Sequence, residues 1–490
     1  MSENNFKKEI RLYDAVMLVA GTMIGSGIFL VSVDVARNVG SAGFLLLVWL
    51  ITGLITVAGA LSYGELSGMM PKAGGQYVYL REAYNPLTAF LYGWTLFLVI
   101  QTGTIAAVAV AFARYTGVLI GFFDEKNILL NLGFIKISAT QILAILSIWL
   151  LTYININGVK NGKLIQNIFG STKIIALLGL IFIGLVFGIN QEVINLNFTG
   201  IWDASQTVVK DSKAIVNQDF NWWGVITLIG VAMIGPLFSS DSWNNVSFAG
   251  DEVVNPKRTI PLSLAIGTGL VTLLYLLVNI VYLLVLPLKG SPEALDVFGR
   301  GIQFASNERL ATAAAEMIGG TSSTIVIAVL ILISTFGCNN GVILSGARVY
   351  YALAKDELFF KPMARLNSKG VPANALIGQA IWASLLCLSG TYSNLLDYIM
   401  FAVVLFYILT IGAVFILRFK QPNTPRPYRA FGYPFVPIFY LMATILFEVI
   451  ILIYKPEYTW AGLGIVLLGV PVYYLFLLGA KKERNEVNIT

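Results

Sequence analysis

The stretch GTMIGSGIF, Gly21 to Phe29, sits in the middle of the first long apolar segment and places three glycines within seven residues. At the depth of hydrocarbon an unpaired backbone group costs several kcal/mol. Irregular chain therefore survives there only against protein or a water-filled cavity. Small residues three or four apart also let helices approach closely, so packing alone is one reading of the pattern. The other is a helix deliberately interrupted around a ligand, and the remainder of the sequence favours it.

The chain has 490 residues, of which 57% are hydrophobic and 12% charged, with a mean hydropathy of +0.78. Soluble domains carry about 25% charged residues. Apolar runs of about 20 residues, the length that crosses a bilayer, recur from end to end. The fold class is therefore an all-α polytopic membrane protein. The net charge of +6 is spread over loops and tails, which speaks of membrane orientation and not of nucleic acid. A short charged tail precedes the first segment and no small-residue cleavage site follows it, so it reads as a span rather than a cleavable leader. Histidine is absent, which removes imidazole-based zinc sites, catalytic triads and proton relays. No phosphate-binding loop or paired catalytic carboxylate motif is present. An enzyme is not expected, and no cofactor or metal. Cys338 and Cys387 lie in apolar runs without metal spacing and read as small buried residues.

Twelve spans follow from the runs and their punctuation, near 12–36, 42–69, 86–116, 138–156, 163–188, 222–249, 261–287, 321–354, 373–390, 394–418, 434–454 and 459–479. Polar stretches at 189–220 and 289–319 separate spans 5 from 6 and 7 from 8, the second with room for short amphipathic helices. Short basic clusters fall on one side: Lys7, Lys8 and Arg11; Lys257 and Arg258; Lys361, Arg365 and Lys369; Arg418, Lys420, Arg426 and Arg429; Lys481, Lys482 and Arg484. That asymmetry places both termini in the cytoplasm.

The first interruption has a counterpart. In span 6, VAMIGPLFSSDSWNN puts Gly235, Pro236, Ser239, Ser240, Asp241 and Ser242 inside an apolar helix. Proline removes a donor, and serine and aspartate compete for backbone hydrogen bonds. Interrupted segments at equivalent places in two halves point to a transporter's midplane site. A broken helix offers N–H groups at the start of its second half and carbonyls at the end of its first. These suit a carboxylate and an ammonium respectively, so two facing breaks make a receptor for a zwitterion.

The same residues resemble a known family. GTMIGSGIF is similar to the first-helix signature of the amino acid–polyamine–organocation superfamily, closest to its L-type amino-acid transporter branch. Residues 62–94 (SYGELSGMMPKAGGQYVYLREAYNPLTAFLYGW) resemble the superfamily's pattern across spans 2 and 3. LFSSDSWNNVSFAGDEVVNPKRTIP resembles span 6 and its exit, NNGVILSGARVYYALAKDELFF span 8, and RPYRAFGYPFVP the loop after span 10. The resemblance implies a leucine-transporter-type fold: 12 transmembrane helices, a 5+5 inverted repeat plus two C-terminal helices.

The organisation implied is a tail at 1–11, a first repeat at 12–188, an extracellular loop at 189–220, a second repeat at 221–418, spans 11 and 12 with their preceding loop at 419–479, and a tail at 480–490. By motif position the backbone N–H groups of Ser26 and Gly27, beside Gly25 and with the Ser26 hydroxyl, would take the carboxylate. The carbonyls of Ile24 and Phe238 would take the ammonium, with Phe238 closing the site from outside and Ser239 beside it. Asn244 matches a pocket-lining position. Tyr398, Ala402 and Val403 stand where some relatives carry larger or polar pocket residues.

A lysine at the core of a span is costly and functional by default, and Lys173 is such a residue. It matches the fifth-helix lysine of sodium-independent relatives, whose ammonium stands in for sodium and ties span 1 to spans 5 and 8. Glu65 and Arg348 fall near span ends, where ion pairing is expected. Asp241 has two readings: it reaches into the pocket, or it caps the helix that resumes around Trp243 to Val246. Its position just before the resumption favours capping.

Animal members of the family join a single-span partner through a cysteine in the loop between spans 3 and 4. Residues 117–137 hold none, so no disulfide-linked accessory subunit is expected. The resulting expectation is a plasma-membrane, sodium-independent transporter of L-amino acids, neutral ones first, working by alternating access as exchanger or facilitator. The alternative is a cationic amino-acid or polyamine antiporter of the same superfamily. A channel or an intramembrane enzyme is the rival from another class.

Overall fold

A computed structural model describes residues 6–131, 136–210, 213–389 and 392–487. The ends of the two predicted tails, 1–5 and 488–490, and residues 211–212 of the long loop lie outside these, as does the side chain of Tyr398. Among the described residues ten helices are long and apolar enough to cross a bilayer: Ala42–Met69, Pro86–Leu119, Ala139–Ile156, Gly162–Phe187, Trp222–Ser239, Pro256–Val285, Ser322–Lys355, Ile399–Lys420, Phe435–Tyr454 and Pro456–Gly479. The other two predicted spans are shorter helices. Ala373–Ser389 has 17 residues, and the first span is divided into Leu12–Met23 and Ser32–Val39 by a single 3-10 turn, Gly27–Phe29.

Local chemistry sets several helix starts. Ser138 accepts from the Gln141 backbone N–H while the Gln141 side chain reaches back, a capping box. Asn85 caps the Thr88 N–H with Pro86 at the first helical position, and Asn221 caps Gly224. The chain is not wholly helical, as composition alone suggested. Two antiparallel hairpins stand in loops, Ile128–Asn131 with Lys136–Ser138 and Gln206–Lys210 with Lys213–Asn217. In the second, β-branched residues (Thr207, Val208, Val209, Ile215, Val216) in short runs suit a pleated ribbon. The 289–319 stretch does carry short helices, Val297–Arg300 and Leu310–Gly319.

Ala42–Met69 lies along Pro256–Val285, and Thr321–Lys355 along both Gln101–Leu119 and Val159–Phe187. Leu12–Met23 is held between Pro256–Val285, Val159–Phe187 and Thr321–Lys355. The first interruption is thereby enclosed by protein on every side, the condition under which irregular backbone is tolerated at this depth.

The expected ion pairs are present. Arg348 donates from Nε to Glu252 Oε1 at 2.9 Å and from Nη2 to Oε2 at 3.3 Å, with both side chains buried. The Glu252 carbonyl in turn accepts from the backbone N–H groups of Glu9 and Ile10, which seats the N-terminal segment on the exit of span 6. Glu65 accepts from Arg418 at 2.9 and 2.6 Å, from Arg426 at 3.2 Å and from the Ala430 N–H at 2.7 Å. Such charges are stable away from water only because they are paired and hydrogen-bonded.

Candidate binding site

The first span loses helical geometry at Ile24, whose ψ of 88° turns the chain, and Gly25 N–H falls back on Met23 O at 2.9 Å. Neither Gly25 nor Gly27 has a positive φ. Their lack of a side chain serves close approach instead. A Cβ on Gly27 would lie 2.0 Å from Ser239 Oγ and 3.0 Å from Ser239 Cα, and one on Gly25 would lie 3.1 Å from Cys338 Sγ. Span 6 breaks after Ser239, where Ser242 adopts a φ of 65°, a conformation that costs a non-glycine residue of order 1 kcal/mol or more and gathers at functional sites.

The two breaks therefore touch. Thr22 Oγ1 donates toward Ser242 O at 3.0 Å. The Tyr275 hydroxyl stands 3.0 Å from both Met23 O and Ser239 O, so one donor spans the carbonyl ends of the two first half-helices. Nothing in the sequence around Tyr275 marks it for this role, because it comes from a third element with ordinary apolar neighbours.

Lys173, 1% exposed, donates from Nζ to Gly21 O at 2.7 Å, Ile24 O at 2.7 Å and Ser334 O at 3.0 Å. Its three N–H donors thus have three carbonyls, two on the first break and one on Thr321–Lys355. Ser334 Oγ also points to Ile24 O at 3.2 Å. A ligand ammonium would share the Ile24 carbonyl with these two donors or displace one. The Phe238 carbonyl accepts from Asp241 N at 3.1 Å, and the Phe238 ring is buried.

A narrow cavity opens beside the second break. It is lined by Gln76, Gln101, Asp241, Asn244, Asn245 and Tyr407 together with apolar residues including Val403. Of the residues singled out from sequence, Asp241, Asn244 and Val403 line it, whereas Gly27 meets Ser239 where the two breaks adjoin and Gly25 faces Cys338. Asp241 does not cap. The helix Asn245–Phe248 begins after Asn244 without a side-chain cap bond, and Asp241 Oδ1 accepts from Tyr407 OH at 2.7 Å. The turn at Ser242 swings the carboxylate away from the helix start and toward the Tyr392–Lys420 helix. Trp243 stacks on the Tyr407 ring, with centroids 5.0 Å apart, and so holds that hydroxyl in place.

Another lining feature escaped sequence reasoning. Leu96–Ile100 forms a π-helical turn within span 3, and Leu96, Ile100 and Gln101 face the cavity. Such bulges frequently mark functional sites, but no residue type in LFLVI announces one. Tyr407→Phe tests the Asp241 contact. Depriving a buried carboxyl of a donor should cost about 1–3 kcal/mol of stability, read as a lower Tm in detergent. Asp241→Asn, which keeps an acceptor for Tyr407, should cost less.

Residues 10–477 match the family model described as amino acid permease. This chain belongs to that family. Within the amino acid–polyamine–organocation superfamily its relatives lie in the L-type branch. The human large neutral amino acids transporter small subunit 2 is 32% identical over 98% of this permease and 82% of its own length. The mouse b(0,+)-type amino acid transporter 1 is 29% identical over 97% and 89%. The human cystine/glutamate transporter is 29% identical over 98% and 87%. The permease is accordingly a multi-pass membrane transporter of amino acids and not an enzyme.

Proposed function

We propose that this permease carries L-α-amino acids, neutral ones foremost, across the cell membrane by sodium-independent alternating access, as exchanger or facilitator. The observation that carries the proposal is Lys173. Carbonyls freed by a broken helix are the groups that coordinate sodium in transporters of this construction, and here an ammonium occupies Gly21 O, Ile24 O and Ser334 O. A fixed positive charge in that place removes the need for a mobile one.

The arrangement proposed has twelve spans, the broken first span and Ala373–Ser389 completing the ten long helices, with two inverted repeats of five. The breaks at equivalent places support it. So does the packing of span 2 on span 7 and of span 3 on span 8, since elements related by a two-fold axis meet at it. Both termini lie in the cytoplasm on the strength of the basic clusters. The substrate carboxylate meets the N–H groups of Ser26 and Gly27, and its ammonium meets the carbonyl ends at Ile24 and Phe238. The permease works without a disulfide-linked accessory subunit, because residues 117–137 contain no cysteine and both cysteines are buried in the membrane region.

A cationic substrate is the second reading, favoured by the Asp241 carboxylate in the cavity wall. Uptake into proteoliposomes decides between them. Neutral amino acids should drive counterflow equally in sodium and choline, and their methyl esters or decarboxylated amines should compete at least tenfold less well. Equal competition by the amines would move the site to the polyamine class.

A further inference from the structure

Several polar side chains of the cavity are committed to neighbours. Asn244 Nδ2 donates to Gln76 Oε1 at 2.8 Å, Gln76 Nε2 to Thr410 Oγ1 at 2.8 Å, and Gln101 Nε2 to Val342 O at 2.7 Å. Asn245 stands apart. The residue lines the cavity and is 2% exposed, and its Nδ2 has no hydrogen-bond partner among the described residues. A buried amide donor without a partner forfeits its hydration for nothing. Asp241 also lines the cavity; its carboxylate accepts from Tyr407 and from the Ser242 backbone N–H, and a carboxylate has about four acceptor sites. The cavity wall thus combines a buried donor without a partner, Asn245 Nδ2, with an acceptor that has capacity left, Asp241.

From this we infer that the side-chain end of the site selects a small uncharged group that both donates and accepts, a hydroxyl foremost and a short carboxamide next. The inference rests on the amino-acid reading above and narrows its substrate class. A hydroxyl takes the Asn245 N–H on a lone pair and gives its own proton to Asp241. An alkyl side chain satisfies neither. An ammonium or guanidinium offers donors only and leaves Asn245 stranded, and a side-chain carboxylate meets the charge of Asp241.

Isosteric pairs in proteoliposome counterflow test the inference. Threonine should compete at least about tenfold better than valine, and asparagine likewise better than leucine, because a site built to bind a hydroxyl rejects the analogue that lacks it. In Asn245→Leu the threonine-to-valine ratio should fall toward one, a quantity that a general loss of activity does not move. The wild-type ratios decide alone should that variant fail to assemble. Active uptake with valine equal to threonine, with lysine preferred over both, or with an unchanged ratio in Asn245→Leu overturns the side-chain inference and leaves the amino-acid reading standing. Failure of every amino acid to exchange overturns both.

Discussion

Lys173→Met lowers initial uptake about a hundredfold, while replacing sodium by choline leaves the wild type unchanged. Methionine keeps much of the length and apolar stem of lysine but has no donors. Three carbonyls, Gly21 O, Ile24 O and Ser334 O, then lose the ammonium they share at 2.7, 2.7 and 3.0 Å. Hydrogen bonds to a charged group contribute about 1.5–3 kcal/mol each. Desolvating the lysine offsets part of that sum, and a net loss of about 3 kcal/mol in the moving element corresponds to about two decades in rate. The helix Leu12–Met23 also loses its tie to Thr321–Lys355, so a lower Tm should accompany the slower cycle. A Lys173→Met variant transporting at the wild-type rate, or strict sodium dependence of the wild type, would remove the idea that this ammonium replaces a coupling ion.

Gly27→Ala abolishes uptake, and adding Ser239→Gly restores a measurable part of it. An alanine Cβ at position 27 would sit 2.0 Å from Ser239 Oγ, 2.7 Å from its Cβ and 3.0 Å from its Cα. Heavy atoms do not approach that closely, so the two breaks must separate. The zwitterion site depends on their juxtaposition. Ser239→Gly removes the first two contacts and leaves only the backbone one, which a shift of a few tenths of an ångström relieves. Overpacking of this kind costs about 1–3 kcal/mol even where the surroundings can adjust. The double substitution should therefore recover at least tenfold over Gly27→Ala in initial uptake rate. If Gly27→Ala transports normally, the breaks are not in functional contact. If the double variant gains nothing, their contact is not what the alanine disrupts.

Much of this was legible in the sequence because a membrane is a severe solvent. Apolar runs of about 20 residues cannot fold in many ways there. The glycine cluster Gly21–Gly27 and the serine–aspartate run Ser239–Ser242 were therefore visible as violations of a strict rule. Lys173 stood out for the same reason, and so did the pairing of Glu65 and Arg348 with other charges. Of the two readings of Asp241, cap and pocket residue, the structure places its carboxylate on the cavity side against Tyr407. The spacing of Asp241 to the next helix suited capping, but the positive φ of Ser242 redirected the side chain, and no spacing argument anticipates one strained residue.

The sequence by itself determined that this chain is a polytopic membrane transporter with two interrupted spans, since hydropathy and helix-breaking residues act locally and leave their mark on the residues that carry them. Only the tertiary structure decided which groups meet at the interruptions. Tyr275 bridges Met23 and Ser239 from 36 residues beyond Ser239, Tyr407 finds Asp241 across 166, and Lys173 reaches Ser334 across 161. The Asn245 Nδ2 is left without a partner among the described residues. Hydrogen-bond partners at such separations depend on the relative rotation and depth of whole helices. That registry comes from the summed packing of many side chains and is written in no single stretch of the chain.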